Sequence, residues 1–318
     1  MERRRLGSTG FDITVIGLGT WAIGGWLWGG QEEADSVAAI EAALETGINW
    51  LDTAPIYGSG ISEQMCGDVL KKIPAARRPL VFTKFGLGDD SSARNPSATT
   101  AQVLAECEAS LKRLNVERID LYQLHWPVPQ PVDEQARACD MLLKAGKIRA
   151  VGVCNFSVAE LEAWAATGLP LHTLQTPLSI LRTATLHEQI PWCQKHGLGT
   201  LAYSPLFRGM LFGTWTKEKK FPEGDSRATH KDYTGPRFVR HLQAVDELKA
   251  LAEKNGTTCA NLACGALLAN PAVTACIVGA RNARQGQLIG TLGKPISAEV
   301  NAEVWRIVER LNGDLAGM

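Results

Sequence analysis

Net charge is what this sequence most plainly lacks. Lys and Arg together number 33, as do Asp and Glu, so no global field draws in a nucleic-acid backbone and any anionic ligand must be held by local groups. C-x-x-C pairs and Cys/His spacings of the zinc type are also missing. The eight cysteines in 318 residues therefore read as reduced thiols of a cytoplasmic protein, with Cys259, Cys264 and Cys276 as small core residues. No apolar run reaches the roughly 20 residues of a membrane helix before Gly, Pro, Asp or Lys interrupts it. The opening Met-Glu-Arg-Arg-Arg leads into Leu-Gly-Ser-Thr-Gly, not into a secretory apolar core. Neither a nucleic-acid partner nor a membrane nor export is expected, and a hydrophobic fraction of 45% with 21% charged residues argues against disorder.

What the sequence does contain is rhythm. Short runs rich in Val, Ile and Leu recur at 15–19, 48–52, 80–84, 119–125, 148–154, 171–175, 200–203 and 274–278. Segments of helical period separate them at 32–46, 99–114, 133–145, 157–166, 186–196 and 237–254. Gly47 and Gly146 stand where C-terminal caps fall, and Ser157 and Asp133 where N-caps fall. Eight apolar runs in alternation with helical segments predict an α/β fold of the (β/α)8 TIM-barrel type, with an extra helix over 297–311 at the C-terminal end. No linker or internal repeat divides the chain, so residues 1–318 are read as one domain. Two long irregular stretches, 21–31 and 206–236, break the rhythm and are expected to be functional. The second reads either as a lid or, through Lys217, Lys219 and Lys220, as a solvated face.

A barrel of this kind puts its active site at the C-terminal ends of its strands, so polar residues that end apolar runs are the candidates. Asp52 ends the second run, Tyr57 follows it, Lys84 ends the third and His125 the fourth. Singly, each has a structural reading: a helix cap, loop packing, a snorkelling ammonium, a core hydrogen bond. Together they make a proton-donor set, because a phenol with a pKa near 10 needs its anion stabilised to act as an acid at neutral pH. An ammonium at about 4 Å supplies roughly 4 kcal/mol at an effective dielectric near 20, at most about three pKa units. Lys84 is thus expected to draw Tyr57 toward physiological pH, Asp52 to hold Lys84, and His125 to orient a substrate carbonyl. No metal is called for.

The segments Leu-Asp-Thr-Ala-Pro-Ile-Tyr-Gly (51–58), Phe-Thr-Lys (82–84) and Asp-Leu-Tyr-Gln-Leu-His (120–125) resemble the signatures of the aldo-keto reductases, over a match running from about residue 6 to 285. The resemblance implies that Asp52, Tyr57, Lys84 and His125 are a catalytic tetrad and that NADP(H) is the cofactor, with NAD(H) a weaker alternative. It places Thr20, Trp21 and Asp52 near the cofactor, Asn155 and Gln175 on the nicotinamide amide, and Tyr203 against the ring. Tyr-Ser-Pro-Leu-Phe-Arg-Gly (203–209), with Ser204, Leu206, Arg208 and Gly209, is similar to the pyrophosphate-wrapping stretch, and Gly279, Arg281 and Gln285 to the adenosine-ribose segment. Arg281 would meet a 2′-phosphate. The chain departs from the family at Cys154, where a Ser is usual, and at Leu288 and Ile289, where a Glu-Asn pair is common. Gly17-Leu18-Gly19-Thr20-Trp21-Ala22 also fits a G-x-G-x-x-A pattern, but the Gly- and Trp-rich residues that follow cannot open the helix a dinucleotide-binding βαβ unit needs.

Trp21 and Trp126, with Tyr57 and His125, are the expected substrate walls, whereas Trp26 and Trp28 read equally as pocket or as rim packing. The arrangement most resembles bacterial-type members with an open pocket. The expected partner is a small carbonyl or sugar substrate, reduced to its alcohol, and the sequence is compatible with a homo-oligomer. The competing reading is an NADP(H)-binding redox-sensing regulatory subunit with little turnover, against which the intact tetrad argues.

Overall fold

The computed structural model describes residues 1–90 and 96–316. Its first elements are strands β1 (Arg3–Arg5), β2 (Asp12–Thr14) and β3 (Ile16–Gly19), then α1 (Glu33–Glu45), β4 (Trp50–Asp52), α2 (Ile61–Lys71) and β5 (Leu80–Phe85). The middle of the chain forms α3 (Thr100–Leu114), β6 (Ile119–Leu124), α4 (Val132–Lys144), β7 (Ile148–Cys154), α5 (Val158–Ala166), β8 (Thr173–Pro177), α6 (Gln189–Lys195) and β9 (Gly199–Tyr203). It ends with α7 (Gly235–Lys254), α8 (Cys259–Leu268), β10 (Ala275–Gly279), α9 (Ala283–Ile289) and α10 (Ala298–Ala316). Strands β3 to β10 close into a parallel barrel in sequence order, β10 pairing back onto β3, with the helices around it. This is the (β/α)8 fold, and each of the eight expected runs supplies one stave.

Strand side chains alternate between the bore and the helix layer. Trp50, Phe82, Leu121, Leu201 and Ile277 pack together inside the bore as a cluster separate from the larger core between strands and helices. Two residues further along the first three of these strands stand Asp52, Lys84 and Gln123, so the period of two lifts one polar layer directly above one apolar layer. Trp50 fits only because its neighbour on β3 is Gly17, where a Cβ would lie 2.1 Å from the indole.

The floor of the bore is closed by β1 and β2, an antiparallel hairpin the sequence reading does not contain. Its Leu6, Phe11 and Ile13 join the bore cluster, and Arg4 ties it down by donating to the carbonyls of Val273 (2.8 Å) and Leu268 (2.9 Å).

The helix punctuation holds in most places. Ser157 and Glu160 form a reciprocal capping box, and Gly47 and Gly146 follow α1 and α4 with φ of +92° and +70°. Asp133 is not an N-cap: α4 starts after Pro131, whose ring supplies the entry dihedral, and Asp133 lies in the first turn. The helix expected over 186–196 is a 3-10 turn, Ala184–Leu186, followed by the short α6.

Candidate active site

The polar layer of the bore is a connected network. Lys84 and Asp52 are buried, with Nζ 2.5 Å from Oδ1, and Lys84 also donates to the Thr53 carbonyl at 2.8 Å. The other carboxylate oxygen, Oδ2, accepts from Gln175 Nε2 at 2.7 Å and Gln123 Nε2 at 3.2 Å. Gln175 donates at 3.2 Å to Gln123 Oε1 as well, and the Cys154 thiol approaches that same oxygen at 3.9 Å. A buried charge pair is tolerable only with its remaining valences satisfied, and the glutamines satisfy them.

Tyr57 lies over this network, with Lys84 Nζ 5.1 Å from its ring centroid. His125 meets the same ring edge-on at 5.7 Å between centroids, and Trp21 flanks it at 6.4 Å. The Tyr57 loop is held by close backbone approach: Gly58 has φ +63°, and a Cβ there would stand 2.3 Å from the Gly24 carbonyl oxygen. The four residues singled out in the sequence thus converge on one point.

One electrostatic expectation fails. Burial pushes the Tyr57 phenol up to about 12; Lys84 opposes this and the Asp52 charge adds to it. Burial likewise works against the Lys84 ammonium, but Asp52 and Tyr57 outweigh it and hold its pKa above the ordinary lysine value. A phenol pushed that far up is protonated throughout the physiological range. The Coulombic attraction of Lys84 is outweighed by the cost of ionising a phenol out of water.

Above the tetrad opens a cavity of about 840 Å³. Thr20, Trp21, Asn155, Gln175, Tyr203, Ser204, Leu206, Arg208, Gly209, Gly279, Arg281 and Gln285 all line it, as do Trp126, Trp26 and Trp28. Asn155 has φ +62°, donates to the His125 carbonyl at 3.0 Å and accepts from the Tyr203 hydroxyl at 2.8 Å. The 203–209 stretch takes left-handed backbone at Ser204, Phe207, Arg208 and Gly209; the Phe207 and Gly209 N–H groups close the turn by donating to the Ser204 and Leu206 carbonyls at 2.9 and 3.0 Å, and the Arg208 side chain brings a cation to the cavity wall. The indole N–H groups of Trp21 and Trp28 find no hydrogen-bond partner among the described residues.

The lining is cationic. Arg208, Lys219, Arg227, Arg281 and Arg284 face the cavity, while Asp52, already paired with Lys84, is the one acidic residue among its described lining residues. The cavity and donor set fit a long, multiply anionic ligand. Leu288, one of the departures noted in the sequence, also lines it, and Ile289 is buried.

The 206–236 stretch is no detached solvated face. Asp225 forms an antiparallel bridge with Trp28, and Ser226 N–H donates to the Leu27 carbonyl at 3.0 Å. Arg227 pairs with Asp225 at 2.6 Å, donates to the Arg208 carbonyl at 2.9 Å and lies 4.5 Å from the Trp28 ring centroid. Lys219 reaches the cavity, whereas Lys217 points to solvent beside Glu218. The two irregular stretches therefore join across the barrel mouth.

Three residues escaped the sequence reading. Gln123 sits among apolar neighbours on β6, but lies two positions after the bore residue Leu121, which was a usable signal. Arg227 and Gln31 take their roles from distant partners and carried none. Gln31 pairs with Arg281, its Oε1 accepting from Arg281 Nε at 2.7 Å and its Nε2 donating to the Arg281 carbonyl at 2.6 Å.

Comparison with known proteins places these features in context. The profile described as "Aldo/keto reductase family" matches residues 15–309. Aldo-keto reductase YhdN of Bacillus subtilis (strain 168) is 37% identical over 320 residues, covering 100% of this chain and 96% of the relative. The NADH-specific methylglyoxal reductase of Escherichia coli (strain K12) is 32% identical over 300 residues, covering 88% and 90% respectively. Among solved structures, the glycerol dehydrogenase AKR11B4 from Gluconobacter oxydans superposes with a TM-score of 0.88 at 36% identity, covering 97% of this chain and 95% of that one.

Proposed function

The chain belongs to the aldo/keto reductase family, and from that membership we propose that it is an NADP(H)-dependent reductase of small aldehydes or ketones with Tyr57 as its general acid. The observation that carries this reading is the buried Asp52–Lys84 pair directly beneath Tyr57, at the floor of a cavity that Arg208, Lys219, Arg227, Arg281 and Arg284 also line.

A bound reduced nicotinamide supplies hydride chemistry. Asn155 and Gln175 are the residues to hold its carboxamide, with Tyr203 beside them; the left-handed stretch around Arg208 is suited to the pyrophosphate and Arg281 to the 2′-phosphate. Toward the substrate, His125 orients the carbonyl oxygen and Tyr57 Oη delivers the proton that turns it into a hydroxyl. Lys84 stabilises the phenolate left behind, and Asp52, fixed by the two glutamines, keeps Lys84 in place. The indoles of Trp21 and Trp28 give the pocket apolar walls.

Two relatives are named for methylglyoxal and for glycerol, both three-carbon compounds, which supports a short polar carbonyl or polyol partner for this chain too. One of them is named NADH-specific, so cofactor choice rests here on Arg281 and its neighbours, with NAD(H) the weaker cofactor.

The test is oxidation of NADPH and NADH, followed by absorbance in parallel, against short aldehydes, ketones and oxidised sugars. Turnover favouring NADPH is expected, and Arg281→Ala should weaken NADPH more than NADH. Tight NADPH binding without turnover on any carbonyl would instead point to a regulatory subunit.

A further inference from the structure

Arg281 leaves the barrel just after β10, and its guanidinium is already held. Nε donates to Gln31 Oε1 at 2.7 Å, Nη1 to the Trp28 carbonyl at 3.3 Å, and Nη2 to the Gly30 carbonyl. Gln31 grips the same residue a second time, donating from Nε2 to the Arg281 carbonyl at 2.6 Å, while the Arg281 N–H goes to Gln285 Oε1 at 2.9 Å. Among the described residues, every acceptor on the guanidinium is a neutral oxygen. Asp225 and Asp35 are the carboxylates that act on it electrostatically, and neither makes one of these bonds. Of five guanidinium N–H groups three are used, which leaves one on each Nη to meet a ligand.

A cation that is immobilised yet not neutralised is what selective capture of a dianion requires. Its orientation costs little on binding, and its charge is intact. A carboxylate at position 31 would orient the guanidinium equally well but cancel the charge.

We propose that Gln31 is a positioning residue for cofactor selectivity: by holding Arg281 through an uncharged side chain, it presets the guanidinium for the 2′-phosphate that distinguishes NADP(H) from NAD(H). The inference rests on the reading of Arg281 given above and extends it to a residue 250 positions away in the chain. The same bonds fasten the Trp28–Gln31 segment to the adenosine side of the cavity, so the wall carrying Trp28 and the phosphate subsite share one anchor.

Two probes that differ only in the phosphate test this without turnover: adenosine 2′,5′-bisphosphate and adenosine 5′-monophosphate, titrated by calorimetry into the full-length protein. The intact protein should prefer the bisphosphate, and Arg281→Ala should abolish that preference. Gln31→Ala should lower the preference about fivefold, the net worth of one ordinary intramolecular hydrogen bond, with monophosphate affinity held within about twofold. Gln31→Glu should lower it by at least about tenfold, since it neutralises the cation and repels the dianion. Thermal melts establish that each variant is folded, and the Glu variant serves if the Ala variant is not.

Loss of preference in the Arg281 variant with no change in either Gln31 variant would overturn the proposal and leave the Arg281 reading standing. Equal loss of both probes would overturn it too, because Gln31 would then only staple the loop. No preference in the intact protein would remove the phosphate reading itself.

Discussion

Replacing Lys84 by Met removes the cation from the most enclosed ion pair among the described residues and leaves the Asp52 carboxylate with hydrogen bonds but no counter-charge. Both side chains are essentially sequestered from water, at 0% and 3% exposure, so solvent cannot compensate. Breaking such a pair from one side costs about 3–5 kcal/mol, far more than the exposed pairs on the helices, such as Lys71–Asp68, contribute. For a chain of this size each kcal/mol corresponds to roughly 2 °C in melting temperature, so a fall of about 6–10 °C is expected. The double variant Lys84→Met, Asp52→Asn should recover most of it, because a neutral amide in that place is not stranded. Scanning calorimetry on the two single variants and the double gives the coupling directly. The pH sign follows from the raised Lys84 pKa: the pair contributes fully below the unfolded lysine value of about 10.4 and is lost only as pH rises through the higher folded value. A Lys84→Met protein that melts with the parent near neutral pH, or a double variant no better than the single, would refute the view that the pair is buried and coupled.

Tyr57→Phe keeps the ring and removes the proton, so carbonyl reduction should fall by about 10²–10⁴ while dinucleotide binding, read by tryptophan quenching, stays within about twofold. With the phenol pushed up to about 12, reduction, which needs the protonated form, should be flat across about pH 6–9 in steady-state assays. Alcohol oxidation, which needs the anion, should rise about tenfold per unit over that range; a plateau near neutral pH would mean that Lys84 outweighs burial once substrates are bound. Gly58→Ala forces a Cβ to 2.3 Å from the Gly24 carbonyl at a positive φ, so it should cost about 1–3 kcal/mol by denaturant titration and displace Tyr57, lowering kcat more than it raises KM.

The staves of the barrel were legible because each is a bounded run of β-branched and aliphatic residues, and the tetrad because its members end those runs at the side where the fold gathers them. The hairpin under the barrel was not, since β1 and β2 are three residues each and Arg3–Arg5 has no apolar alternation. Helix α8 is buried on every residue, so it lacks the polar face that makes a helical period visible, and α2 and α9 each contain a glycine. Those glycines are there for contact: a Cβ on Gly67 would meet the Arg113 carbonyl at 2.3 Å, and one on Gly286 the Ala39 carbonyl at 2.5 Å. A residue that reads as a helix breaker along the chain is thus what lets two helices touch in space.

The same distinction separates the parts of the site that the sequence could specify from those it could not. The identities Asp52, Tyr57, Lys84 and His125 are local signals, carried within a few residues of a strand end. The acidity of Tyr57 depends on how completely the surrounding loops exclude water, and the setting of Arg281 on Gln31, Trp28 and Gly30, all brought to it by closure of β10 against β3. The proposed chemistry therefore rests on short motifs, while its tuning rests on contacts between segments that only the closed barrel brings together. It follows that substitutions at Gln31 or Gly58, outside the tetrad, should alter selectivity and rate while leaving the reaction the same.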